Sequence, residues 1–223
     1  MTARTEGSRR IGWLGGSFDP VHEGHVAIAQ AAADAHGLEQ VLLVPARQPP
    51  HKLDKRLAQP EQRLELLELA TAHDARLQPC DIELHREGPS YSVDTALALR
   101  DALGADVELV YVIGADTLAD LPNWHRIADL LRLVTFCPVT REGHELDVSP
   151  LAALGDEACV RRIAEHRVAM APHPASSTAL RAALAAGEPV EHLAPAVLAR
   201  IVELGLYSVG ATSSDEASRA GGT

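Results

Sequence analysis

Ile11-Gly12-Trp13-Leu14-Gly15-Gly16-Ser17-Phe18-Asp19-Pro20-Val21-His22-Glu23-Gly24-His25 decides how the rest of the chain is read. Its first four residues form a short, mostly apolar run ended by glycines, the pattern of a buried strand. Gly15-Gly16 lets the chain turn sharply and lets backbone N–H groups approach a ligand with no Cβ in the way. From Val26 to His36 the apolar spacing turns helical, and Gly37 suits the C-cap. A glycine-rich loop thus joins a strand to a helix N-terminus, where free N–H groups and the peptide dipole favour anions. His22 and His25, at i and i+3, add two imidazoles able to donate hydrogen bonds to phosphate oxygens. Such a stretch suits phosphoryl chemistry; its plainer reading is a tight strand–helix turn with satisfied histidines.

Working outward, Val41 to Val44 reads as a second buried strand, and strand–helix–strand order begins a parallel sheet with a right-handed crossover. Ligands of such sheets bind beyond the carboxyl ends of the strands, so the Gly15–His25 loop and the segment after Val44 share the ligand side. That segment, Pro45-Ala46-Arg47-Gln48-Pro49-Pro50-His51-Lys52, is stiffened by its prolines. It can hold Lys52 as a point charge for phosphate, or simply leave a solvated lysine on a surface loop.

Composition bounds the answer. The chain has 223 residues, enough for one α/β domain with a sizeable core, and 46% hydrophobic residues, the share of a globular protein. No apolar run approaches the roughly 20 residues needed to cross a bilayer. Arg4, Arg9 and Arg10 are followed by no hydrophobic signal region. Cys80, Cys137 and Cys159 are odd in number and scattered, which argues against a disulfide framework or a CxxC metal site and fits a reducing cytoplasm. A net charge of −11 argues against non-specific nucleic-acid binding, which needs clustered Lys and Arg. Of eleven histidines, His22 and His25 sit together in a glycine-rich setting, weak evidence for zinc without further ligands.

Further along, leucine spacing predicts a helix over Glu61–His73, and Leu77–Leu84 reads as a strand. Gly88-Pro89-Ser90-Tyr91-Ser92-Val93-Asp94-Thr95 opens a helix to Leu103, with Ser90 or Ser92 available as its cap. Val107–Ile113 is the expected central strand; Gly114-Ala115-Asp116 follows it, where an acidic residue either meets ribose hydroxyls or caps the next helix. Trp13 is expected in the core, whereas Trp124, beside Pro122 and Asn123, either offers a ring for stacking or packs at a helix start. A strand from Leu133 to Pro138, a polar loop over Glu142–Pro150, a helix over Leu151–His166 interrupted by Gly155, and a short strand over Val168–Ala171 come next. Ser176-Ser177-Thr178 then precede a helix from Leu180 to Ala186, with Arg181 able to point back toward the same anion as the hydroxyls. Pro195 to about Glu203 is the last helix. Residues 1–9 read as a flexible arm, 10–208 as a single domain, and 209–223, rich in Ser, Ala and Gly, as a disordered tail.

Four motifs together resemble one family. Gly15-Gly16-Ser17-Phe18-Asp19-Pro20-Val21-His22-Glu23-Gly24-His25, Pro49-Pro50-His51-Lys52, Gly88-Pro89-Ser90-Tyr91-Ser92-Val93-Asp94-Thr95 and Ser176-Ser177-Thr178-Ala179-Leu180-Arg181 are similar to elements of the bacterial nicotinate-nucleotide adenylyltransferases, of the HxGH nucleotidylyltransferase superfamily. Gly114-Ala115-Asp116, Trp124 and the Leu206-Tyr207 ending extend the likeness over about residues 10–208. Leu66 stands where that family often has Met, and Ala175 where it usually has Ile. The resemblance implies a Rossmann-like, doubly wound parallel α/β sheet and transfer of AMP from ATP to nicotinate mononucleotide in NAD biosynthesis. It implies His22, His25, Lys52 and Arg181 as catalytic residues. The ATP site would comprise Gly15, Gly16, Ser17, Phe18, His22, His25, Gly114, Asp116, Ser176, Ser177, Thr178 and Arg181. The nicotinate-nucleotide site would comprise Gly16, Ser17, Lys52, Ser90, Tyr91, Ser92 and Trp124. Mg²⁺ would accompany ATP, held largely by phosphates and waters. Neither nucleic acid nor membrane is an expected partner. The rival readings are a nicotinamide mononucleotide-, phosphopantetheine- or cytidylyl-type nucleotidylyltransferase, a class I aminoacyl-tRNA synthetase fragment, and a non-catalytic nucleotide sensor or scaffold of the same fold.

Overall fold

Side chains alternate across a strand, so Ile11, Trp13 and Gly15 face one side of the first strand while Leu14 faces the other. Both sides are buried, the mark of a parallel sheet covered by helices on two faces. The computed structural model describes residues 9–50 and 57–208. Its strands are β1 (Arg10–Gly16), β2 (Gln40–Pro45), β3 (Leu77–Pro79), β4 (Glu108–Gly114), β5 (Thr135–Arg141) and β6 (Val168–Met170). They form one sheet in the order β3-β2-β1-β4-β5-β6, every neighbouring pair parallel. This is the doubly wound, Rossmann-like arrangement the sequence implies, with its direction of winding reversed between β1 and β4. A crevice opens at the carboxyl ends of those two strands.

The helices are α1 (Glu23–His36), α2 (Pro60–Thr71), α3 (Ser92–Leu103), α4 (Ile127–Leu133), α5 (Glu157–Glu165), α6 (Ser177–Ala186) and α7 (Pro195–Glu203). Leu14, Val110 and Val112 pack with residues of α1, α2, α6 and α7 on one face. Trp13, Tyr111 and Phe136 pack with residues of α3, α4 and α5 on the other. Trp13 is buried as expected, and its ring stacks on Tyr111 of β4 at a centroid distance of 3.8 Å.

Four local expectations are corrected. Helix α1 begins at Glu23 rather than Val26, so both loop histidines belong to its start. The strand expected over Leu77–Leu84 stops at Pro79, and Leu84 N–H turns back to Asp81 C=O. Proline has no N–H to extend the ladder and suits this sheet edge. The helix expected over Leu151–His166 is two elements. A 3₁₀ turn (Ser149–Leu154) ends at Gly155, whose φ of +68° puts it in the left-handed region. Asp156 then caps α5 by accepting the Cys159 N–H. Finally, neither Ser90 nor Ser92 caps α3 with its side chain: Ser90 Oγ accepts the Gln48 N–H and Ser92 Oγ pairs with the Tyr111 hydroxyl. The expected arm and tail lie, apart from Arg9, outside the described residues.

Candidate active site

The loop between β1 and α1 is held from beneath. Arg63 of α2 is 1% exposed and donates from Nη1 to Ser17 C=O (2.7 Å) and from Nε to Ala58 C=O (2.9 Å). Asp19, also 1% exposed, accepts the Tyr207 hydroxyl (2.8 Å) and the Ala58 N–H (3.0 Å) on Oδ1. Burial and the neighbouring Asp19 carboxylate push the Tyr207 phenol well above its usual range, so it stays a donor. Phe18, placed in the ATP site by resemblance, is a buried core side chain at φ +46°. Its ring meets His25 edge-on at 5.0 Å, and a Cβ on Gly16 would come within 3.1 Å of it. Glycine at 16 therefore lets the loop lie directly on Phe18.

That support positions the histidines. The His22 N–H donates to His25 Nδ1 (3.2 Å), so a neutral His25 carries its ring proton on Nε2. The two imidazoles stack at 3.7 Å. His22 is 9% exposed, and its Nδ1 is buried without a hydrogen-bond partner among the described residues. Burial first, then the nearby His173 and His192, lower its pKa to about 4. At neutral pH His22 is an uncharged imidazole, suited to hydrogen bonding rather than to supplying a full positive charge.

From α6, Ser177 Oγ donates to Pro20 C=O (3.0 Å), and Arg181 Nη1 donates to Asp19 C=O while lying 3.6 Å from Asp19 Oδ2. The second chemical landmark thus reaches the first by hydrogen bonds to its backbone. Ser176 and Thr178 remain exposed at the start of α6.

On the other side of the loop a cavity of about 650 Å³ opens at the crevice between β1 and β4. Gly15 and Gly114 of the implied ATP site, Gly16 and Ser17 of both implied sites, and Ser90, Tyr91, Ser92 and Trp124 of the implied nicotinate-nucleotide site all line it. Ser92 Oγ bonds the Tyr111 hydroxyl (3.0 Å), and Ser90 Oγ accepts the Gln48 N–H (3.2 Å). Tyr91 stacks with His125 at 4.2 Å, and Trp124 lies 6.0 Å from Tyr111. Asp116 is exposed within a 3₁₀ turn (Ala115–Ala119) and does not line this cavity. Lys52 and His51 lie outside the described residues.

Sequence reasoning missed Trp13, Tyr111, Thr117, Asn123 and Glu83 as wall residues. Buried Glu83 accepts from Thr95 Oγ1 (2.6 Å), and burial raises its pKa. It also missed Arg63, Asp19 and Tyr207 as loop supports. Only the cross-strand pairing Trp13↔Tyr111 could have been anticipated, once β1 and β4 were taken as neighbours.

Fold and site define a protein of the nucleotidyltransferase class, and the cytidylyltransferase-like family model matches residues 13–183. "Probable nicotinate-nucleotide adenylyltransferase" of Geobacillus thermodenitrificans is 38% identical over 215 residues, covering 96% of this chain and 93% of the relative. A protein of the same name from Chromobacterium violaceum is 40% identical over 209 residues, covering 89% and 98%. The chain belongs to the bacterial nicotinate-nucleotide adenylyltransferase family. In fold it is similar to the Plasmodium falciparum nicotinic acid mononucleotide adenylyltransferase solved with NaAD. That comparison has a TM-score of 0.69 at 18% identity and covers 89% of this chain and 97% of that one.

Proposed function

We propose that this protein transfers the AMP moiety of ATP to nicotinate mononucleotide, giving nicotinate adenine dinucleotide and pyrophosphate. One observation carries the reading: Gly15 and Gly16 end β1 and, with Ser17 after them, line the cavity and lead into the supported His22–His25 turn. His22 and His25 do not themselves line the cavity, so in this reading the pyridine nucleotide extends its phosphate along Gly15–Ser17 toward the turn that carries the two imidazoles. The substrate phosphate is already a nucleophile near neutral pH, so alignment and charge stabilisation are the catalytic demands. A neutral His22 fits that role, since no strong base or acid is required.

In this reading His25 Nε2–H and His22 hydrogen-bond the reacting phosphates, and Lys52 and Arg181 bind phosphate oxygens. Gly114, Asp116, Ser176, Ser177 and Thr178 complete the ATP side. Mg²⁺ arrives as part of the ATP substrate. Ser90, Tyr91 and Ser92 hold the pyridine end, and Trp124 stacks on the ring. Because both serine hydroxyls already have partners, the N–H groups opening α3 fall to the nicotinate carboxylate. A carboxamide would turn donors toward donors there, so the carboxylate substrate is preferred. Three unpaired thiols fit the reducing cytoplasm. The test supplies ATP with nicotinate mononucleotide, nicotinamide mononucleotide or phosphopantetheine and follows pyrophosphate. The highest kcat/KM is expected with the first, and a higher value with either alternative overturns the assignment.

A further inference from the structure

Three metal-binding side chains converge outside the large cavity. Glu23 is the first residue of α1, His173 lies between β6 and α6, and His192 lies between α6 and α7. Glu23 Oε2 is 3.3 Å from His192 Nδ1 and 3.8 Å from His173 Nε2. One ligand atom from each of the three lies within 4.8 Å of the others. We propose that Glu23, His173 and His192 bind a late first-row divalent cation, Zn²⁺ fitting best, at a site distinct from any cation that accompanies ATP.

The donor set points to that class. Two imidazoles and one carboxylate suit Zn²⁺, Co²⁺ or Ni²⁺, whereas Mg²⁺ and Ca²⁺ take oxygen ligands. In a tetrahedral zinc site with metal–ligand bonds near 2.0–2.1 Å, ligand atoms stand about 3.3 Å apart. The observed separations therefore close by small movements of side chains that are all at least partly exposed.

The backbone already sets the arrangement. Glu23 N–H donates to His192 C=O at 3.0 Å, holding those two residues together before any ion binds. His192 Nε2 lies 3.9 Å from Glu191 Oε2, where a carboxylate can orient the ring through its non-ligating nitrogen. His173 Nδ1 accepts the Ala175 N–H at 3.2 Å, so ligation through Nε2 moves that ring proton to Nδ1 and breaks this contact. The bound ion would clamp the start of α1 to the segments leading into α6 and α7, leaving a fourth coordination position to water.

The experiment uses the whole chain, reduced and dialysed against EDTA. Co²⁺ is titrated while its visible d–d absorption is followed, and Zn²⁺ is then added to displace it. One equivalent is expected at micromolar affinity or tighter, with no thiolate-to-cobalt charge-transfer band. Glu23→Gln and His192→Asn should each weaken binding by at least about tenfold, no less than the loss of an outer-shell partner costs. Asparagine is chosen at 192 because it tolerates the φ of +66° found there. His25→Asn should keep the equivalent, separating this cluster from the stacked His22–His25 pair. Wild-type binding weaker than about 100 µM, a charge-transfer band, or unchanged affinity in either ligand variant overturns the proposal.

Discussion

At the loop end of the site, Asp19 and Arg63 are buried and hydrogen-bonded under Ser17–Pro20, and Tyr207 closes the network from the C-terminal segment. At the cavity end, Tyr91 and Trp124 are half-buried and His125 exposed, rings arranged around open space. The first region holds backbone and imidazoles in place before substrate arrives, which is what charge stabilisation in a transition state needs. The second offers ring faces and helix N–H groups, which in the proposed reading recognise the pyridine end without acting on the reacting bond. Damage to the loop end should therefore fall on turnover and stability, and damage to the cavity end on substrate affinity.

Four measurements sharpen or break that contrast. His25→Ala should lower kcat by roughly 10²–10³, as for loss of one preorganised donor, while the Kd for ATP changes little. Near-normal turnover in the folded variant would remove His25 from the chemistry. Arg63→Met strips the charged donors from the half-buried Ser17 and Ala58 carbonyls, and hydrogen bonds to charged groups contribute about 1.5–3 kcal/mol each. Urea unfolding should show a loss of about 3 kcal/mol; a loss under ~0.5 kcal/mol would mean the loop does not depend on that support.

The His22 prediction concerns pH. Its folded pKa of about 4 lies below the ordinary 6.5, so between these values the unfolded chain binds more protons. Stability should be flat in this respect above pH 6.5 and fall as pH drops toward 4, by at most about 1.4 kcal/mol per unit. His36, also lowered by burial, acts in the same direction, so His22→Asn should flatten part of the slope in EDTA-containing buffer. An unchanged slope would contradict a buried neutral His22. Smallest, Trp124→Ala should raise KM for nicotinate mononucleotide by roughly tenfold with kcat nearly unchanged, the size of one lost stacking contact. A fall in kcat instead would place Trp124 with the loop end.

The motifs that carry backbone chemistry were legible in the sequence. Gly15-Gly16 between an apolar run and a helical pattern announces a strand–loop–helix, and the parallel sheet follows from that order. Pro195–Glu203 came out as read because proline at the first helical position is a local signal. Less local features were hidden. Ser92 looks like a cap in sequence, yet its hydroxyl goes to Tyr111, nineteen residues away on β4. The leucine spacing of its helix says nothing of Arg63, whose partner appears only where the fold lays α2 beneath Ser17. Glu23, His173 and His192 meet only because three connections end at one place. Periodicity reports which face is buried; it does not report which distant carbonyl or carboxylate awaits a side chain.

The most direct test of the account follows the α-phosphorus itself. ATP carrying a chiral α-phosphorothioate is supplied with nicotinate mononucleotide, and the configuration of the dinucleotide product is determined. One in-line transfer aligned by His22 and His25, with no enzyme-bound adenylyl group, predicts nicotinate adenine dinucleotide inverted at phosphorus. Retained configuration, or pyrophosphate released without the dinucleotide, would contradict it.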